Sequence, residues 1–259
     1  MNWKLILKTI LTALLAFLAT GGACYPPART ESSAQIKAAE VFTHYRVEEY
    51  TRPDGGKCRR RITTQFLGGD KIYLLQPPAR ATYNGAEIKS SGGGNYAEFG
   101  CDGDRAEFVL TDRQGEKKID VYELSKAKLN LPPQIDRAKD LLIPVEFDAR
   151  YDYDFSGAIE TDEPGAPAFF RFVPAKDEAD LAARLIDPDT PKNQAYLLPV
   201  EKLLVIPKTI LAGLQAGDNK MGIGVEQRLF KPRSADPANS VRSAALTYKY
   251  GFEFNLKFK

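Results

Sequence analysis

Residues 80–100 read R-A-T-Y-N-G-A-E-I-K-S-S-G-G-G-N-Y-A-E-F-G. Asn84-Gly85, set between the short β-prone runs Ala81–Tyr83 and Glu87–Lys89, is the strongest local signal for a two-residue hairpin. The Gly92-Gly93-Gly94 run then stops the second strand, and Tyr96–Phe99 begins a third that ends near Asp102-Gly103-Asp104. Working outward, the same grammar continues on both sides. Upstream lie Phe42–Tyr50, Cys58–Phe66 and Ile72–Leu75, punctuated by Pro53-Asp54-Gly55-Gly56, Gly68-Gly69-Asp70 and Pro77-Pro78. Downstream lie Arg105–Thr111 and Lys118–Leu124 around Arg113-Gln114-Gly115. About eight short strands at spacings near ten residues, with no helical period, predict an antiparallel sandwich or small barrel over 41–131.

Leu131-Pro132-Pro133 marks a linker, and a second unit is expected over 138–259. It contains the strand-like runs Leu142–Val145, Phe147–Ile159, Ala168–Val173, Leu203–Ile206 and Met221–Phe230. Asp177–Ile186 has helical spacing, with Leu181, Leu185 and Ile186 on one face, and a short helical turn follows Pro207. The last stretch, Thr247–Lys259, alternates with period two: Tyr248, Tyr250, Phe252, Phe254, Leu256 and Phe258 face one way and polar residues the other. The fold class expected is therefore mainly β, as two tandem antiparallel β-sandwich (Ig-like) units with one or two short helices in the second.

The chain has 259 residues, 43% apolar and 27% charged, an ordinary globular composition. Residues 1–23 have the form of a secretory signal. Lys4 and Lys8 supply the positive start, Ile10–Ala19 the apolar stretch, and Thr20-Gly21-Gly22-Ala23 the small residues at which cleavage occurs. Ten apolar residues are too few for a permanent membrane span. Removing Lys4 and Lys8 leaves 34 cationic against 34 acidic side chains. That balance argues against nucleic acid as a partner, since such binding rests on a basic surface.

Cys24 directly follows the small residues, and this start resembles the lipobox of bacterial lipoproteins, in which a cysteine is lipidated and becomes the new N-terminus. Gly21 stands where that family usually carries a Leu-like residue, so an ordinary secretory cut after Ala23 is the competing reading. The resemblance implies lipidation at Cys24, a membrane partner reached through the N-terminal lipid, and, because Tyr25 rather than Asp follows, delivery to the outer membrane. Residues 24–40, rich in Pro, Ser and Ala, read as a tether that lifts the domain off the bilayer.

Setting Cys24 aside leaves Cys58 and Cys101. In an oxidising compartment a disulfide between them is the simplest expectation, two separate buried thiols being the alternative.

Chemistry-bearing motifs are few. Asp152–Glu163 (D-Y-D-F-S-G-A-I-E-T-D-E) fits the twelve-residue calcium loop, with Asp152, Asp154, Ser156 and Glu163 as oxygen ligands and Gly157 at the sharp turn. The flanks do not suit it. Val145–Tyr151 alternates like a strand, and Pro164-Gly165 forbids an exiting helix, so the competing reading makes Tyr151, Tyr153 and Phe155 the core side of a strand. Lys57–Arg61 is a short basic run suited to lipid phosphate or an acidic glycan, or simply to a solvated strand face. His44 is the only histidine, and no Gly-x-Ser-x-Gly elbow, phosphate loop or CxxC pair is present. No catalytic residue, metal ligand or cofactor is therefore assigned. Two classes of function remain: an exported, membrane-anchored binding or scaffolding module of the bacterial cell envelope whose partner is an envelope protein or glycan, and a hydrolase that cleaves a glycan with loop carboxylates. A calcium-stabilised adhesin-like module is a further variant. An enzyme should gather two or more buried carboxylates in a concavity, whereas a binding module should offer a groove or patch.

Overall fold

The computed structural model describes residues 29–32, 37–38, 40–51, 57–68, 71–91, 94–132, 134–161, 168–212, 214, 217–232 and 242–258. The leader 1–23, Cys24, most of the tether, and Glu163 of the calcium-loop motif lie outside the described residues. Among the described residues the chain is mainly β, with two short helices.

The first strands follow the turn chemistry. β1 is Arg29–Ser32, β2 Phe42–Thr51, β3 Cys58–Gly68, β4 Lys71–Leu74, β5 Arg80–Tyr83, β6 Ala86–Ser91, β7 Gly94–Gly100, β8 Arg105–Thr111 and β9 Lys117–Glu123. Asn84 and Gly85 both take positive φ, +46° and +82°, as a type I′ turn between β5 and β6 requires. β6 then changes sheets. Its first half pairs with β5 (Ala81↔Ile88, Tyr83↔Ala86) and its second half with β7 (Lys89↔Tyr96, Ser91↔Gly94). A strand that switches partners midway makes a corner. It folds the layer β5–β8–β9 back over β2–β3–β7, and the two layers meet where Tyr45 stacks on Phe108 with centroids 4.0 Å apart.

The second half comprises β10 (Lys128–Leu129), β11 (Leu141–Glu146), β12 (Asp152–Thr161), β13 (Ala168–Pro174), α1 (Glu178–Ile186), β14 (Gln194–Leu198), β15 (Leu203–Ile206), α2 (Lys208–Leu211), β16 (Gly217–Pro232) and β17 (Arg242–Phe258). Asp177 caps α1 by accepting a hydrogen bond from the Asp180 backbone N–H at 2.8 Å. β13 and β14 are parallel, joined by α1 in a crossover. β14 is buried on both faces for that reason. Ala195 and Leu197 enter the main core, while Tyr196 and Leu198 join Leu181 and Val205 in a second cluster under α1.

The two halves are not paired separately. β17 runs parallel to β2 over Ala244↔Thr43 to Lys249↔Glu48, and antiparallel to β16 along almost its whole length. β16 in turn pairs with β12, and β12 with β13. One mixed sheet, β7–β3–β2–β17–β16–β12–β13, therefore runs through both halves. The expectation of purely antiparallel units is corrected by parallel strand pairings among the described residues: β1 with β4, β13 with β14, and β17 with β2. Local pattern encodes alternation but not the identity of a distant partner, and β2 and β17 come from opposite ends of the chain. The region read as linker also takes part: Ile135 is buried against β17, its N–H donating to the Lys257 carbonyl at 3.1 Å, and just before it Lys128 and Leu129, read as the end of the first unit, pair with β11. Within the tether, Ala38 is buried and its N–H donates to Asp112 Oδ2 at 3.1 Å.

Residues 124–127 cross the inner face of this shared sheet as a strap. The Ala127 N–H donates to Tyr250 Oη at 2.7 Å, Gln227 Nε2 donates to the Ser125 carbonyl at 2.8 Å, and Tyr151 Oη donates to the Glu123 carbonyl just before it. Burial pushes the phenols of Tyr151, Tyr248 and Tyr250 above the ordinary tyrosine range, so they stay neutral and able to donate.

Candidate functional site

The outer face of the shared sheet carries the site. In antiparallel register, opposed residues share a face, so Ser156, Gly224 and Gly251 form one transverse row on β12, β16 and β17. Ala158, Gly222 and Glu253 form the next. These small residues sink the sheet surface into an open trough of about 820 Å³. A Cβ on Gly222 would meet nothing closer than 4.0 Å, so that floor position is open space rather than packed backbone. Phe169 and Arg171 of β13 and Asn193, in the loop entering β14, line one side.

A charged row borders the floor. Asp154, Glu226 and Lys249 are opposed on neighbouring strands. Arg171 Nη2 holds Asp154 at 2.8 Å, Arg228 Nη2 holds Glu226 at 2.6 Å, and Lys249 also pairs with Glu226. Burial alone would raise the Glu226 carboxyl, but the bonds from Lys249 and Arg228 outweigh it and hold the group below the usual carboxylate range. Glu226 is thus a fixed anion and a poor proton donor.

Beyond this row a smaller recess of about 290 Å³ contains His44 between Phe42, Phe230, Arg46 and Arg228. His44 Nε2 lies 3.0 Å from Thr247 Oγ1. Burial, reinforced by the Arg46 charge, lowers its pKa, and the ring is neutral near pH 7.

The residues singled out from sequence are distributed as follows. Cys58 and Cys101 are joined as a disulfide with Cα atoms 5.6 Å apart, in line with the Arg59↔Gly100 pairing that sets β3 against β7. Asp152, Asp154 and Ser156 lie on strand β12, paired with β16 throughout and with β13 from Ser156 to Ile159, and not on a loop. Gly157 makes no turn. A Cβ there would lie 2.2 Å from the Phe170 ring, so the glycine is required by close packing. The strand reading of this segment holds: Tyr151 and Phe155 are buried, Tyr153 is half-buried, and Asp152 is exposed. The basic run splits by face. Arg61 is exposed, its guanidinium lying over the Tyr50 ring, whereas Arg60 is buried inside the protein.

Two features escaped sequence reasoning. One is the trough, whose only linear trace is the glycine alternation G-I-G at 222–224. The other is a buried ionic cluster next to the disulfide. Arg60 reaches Glu49 at 2.7 Å, and Lys126 and the Tyr248 hydroxyl also converge on Glu49. Arg60 further donates to the Gly103 carbonyl at 2.6 Å. The other buried carboxylates sit elsewhere: Asp112 accepts the N–H groups of Gln114 and Glu116, and Asp120 accepts the Tyr45 hydroxyl. The chain matches no family model, no curated protein and no solved structure.

Proposed function

We propose that this chain is an exported module anchored by lipid at Cys24, and that it binds or scaffolds another component of the bacterial cell envelope, an envelope protein or a glycan, through the trough on β12, β16 and β17. The observation that carries the reading is that trough: about 820 Å³ of open space with a floor of glycine, serine and alanine and a wall holding Phe169. A floor of such short residues admits the close approach of an extended or flat ligand. The disulfide fits an oxidising compartment. We read the two faces of the shared sheet, each lobe closing over the inner one, as a fused form of the tandem sandwich arrangement.

Carboxylate hydrolysis has less support. Glu226 and Asp154 are neighbours in the trough, but each is held by a guanidinium, and Glu226 is kept ionised. An acid–base pair needs one member able to carry a proton at neutral pH.

The test is site-specific photo-crosslinking in intact cells. A photoreactive amino acid at Phe169 should give a discrete adduct that the same probe at Ile186, exposed at the end of α1, does not give. Identical adducts from both positions, or none from Phe169, would refute binding at the trough.

A further inference from the structure

We infer that the edge of the domain at the start of β1 abuts the bilayer, the partner surface being the phospholipid headgroups themselves; this rests on the acylated Cys24 of the reading above.

The sequence alone suggested a long spacer at 24–40. Strand β1 lies inside that spacer and is fixed to β4 by four register pairs, from Arg29↔Lys71 to Ser32↔Leu74. Only five Cα-to-Cα steps separate Cys24 from Arg29. Fully extended, they reach no more than about 18 Å. A lipidated Cys24 therefore holds the β1 start near the membrane and leaves the domain little room to swing away.

Strand directions then determine which edge this is. β1 is parallel to β4, and β4 is antiparallel to β3, so the Arg29 end is where β3 finishes. β2 starts there, with Phe42 opposite Leu67. β17 starts there as well, with Ala244 opposite Thr43, and β16 ends there, with Lys231 opposite Ala244. The backbone ends of β1, β2, β3, β4, β16 and β17 thus lie together along this edge. From Arg242, β17 rises for 15 residues to Lys257, about 50 Å at strand spacing. The trough row at Gly251 lies nine residues up the same strand, about 30 Å from the edge. The geometry thus makes the trough open sideways, parallel to the membrane, and its ligand is a component lying within reach of the bilayer surface.

The experiment uses the full mature chain, purified from membranes and reconstituted into vesicles of phosphatidylethanolamine and phosphatidylglycerol that carry an acceptor dye on the headgroup. A genetically encoded fluorescent amino acid replaces Lys71 in one preparation and Lys257 in another. Energy transfer should be several-fold stronger from position 71 than from position 257. Equal transfer, or stronger transfer from position 257, overturns the orientation. Intact mass of the same preparations separates the two layers of the argument. An acylated N-terminal cysteine with the wrong transfer order sinks the orientation alone, whereas a chain without acyl groups sinks the anchor and the orientation with it.

Discussion

Arg60 and Glu49 face each other across β2 and β3 with both charges withdrawn from solvent, their side chains 2% and 4% exposed and Nη2 to Oε1 at 2.7 Å. Tyr248 and Lys126 complete the shell around the carboxylate, and the Gly103 carbonyl completes that around the guanidinium. A buried pair of this kind is costly to break, because removing one partner strands the other charge in a medium of low dielectric. Arg60→Leu should therefore destabilise the protein by about 3–5 kcal/mol. The double substitution Arg60→Leu with Glu49→Leu should cost clearly less than the two single changes added together. Urea unfolding of the four proteins checks the coupling; simple additivity would mean that the pair is not a unit.

The same cluster sets an acid limit. Burial favours the neutral Glu49 carboxyl, but the bonds from Lys126, Tyr248 and Arg60 win and hold its pKa below the ordinary value. A carboxyl with a depressed folded pKa contributes stability that is complete above its unfolded value, about 4.3, and is lost as pH falls towards the folded value. Glu226 and Asp112 are lowered in the same direction. Denaturation midpoints should be flat above about pH 7, decline slightly below about pH 6.5, where unfolding lets His44 take up a proton, and fall steeply below about pH 5. Glu49→Gln should be less stable at pH 7 but lose less on acidification.

Glycines at 157 and 222 lie on the same pair of strands but should answer substitution differently. A methyl at 157 collides with the Phe170 ring, which is buried at 4% exposure, so Gly157→Ala should cost about 1–3 kcal/mol by overpacking. Gly222→Ala points into the open trough and should change stability by less than about 0.5 kcal/mol. Thermal melts of both variants decide this, and equal losses would contradict the assignment of faces.

Calcium should leave the thermal midpoint unchanged, with or without chelator. Asp152 and Asp154 lie on a strand held in register with β16, opposite Arg228 and Glu226, and Arg171 already occupies Asp154. A midpoint that rises with calcium would restore the metal reading.

Opening the Cys58–Cys101 link, by reductant or by Cys58→Ala with Cys101→Ala, should lower stability by about 4 kcal/mol, the chain-entropy value for a loop of 43 residues. It should also free the Asp102–Gly103 turn that receives Arg60. Urea midpoints before and after reduction measure the first effect, and hydrogen exchange at 101–104 the second.

Strand by strand, much of this fold was legible in the residues. The Asn84-Gly85 turn, the helix starting at Asp177 and the long alternation from Tyr248 to Phe258 are local patterns, and local patterns report local structure. The strand reading of Asp152–Thr161 could likewise be weighed from its flanks. Pairing across the chain was not legible. Nothing in Thr43–Glu48 names Ala244–Lys249 as its neighbour, because a parallel partner is chosen by the whole fold. The trough was hidden for the same reason. Ser156, Gly224 and Gly251 are scattered in sequence, and only register sets them in one row. The Glu49–Arg60 pair was hidden by charge itself, since a run such as Lys57–Arg61 looks like a solvated face, and only its strand period shows that one arginine must point inward.

His44 and Thr247 touch although 203 residues separate them, because β2 lies beside β17. A ribosome or a translocon delivers β2 well before β17, so the central seam of the sheet stays open until residues 242–258 have emerged. Such long-range closure slows folding and leaves an edge exposed to stray strands in the meantime. Nascent chains truncated before residue 242 should therefore be held unfolded or aggregate, which makes the C-terminal strand the step that commits the protein to its native form.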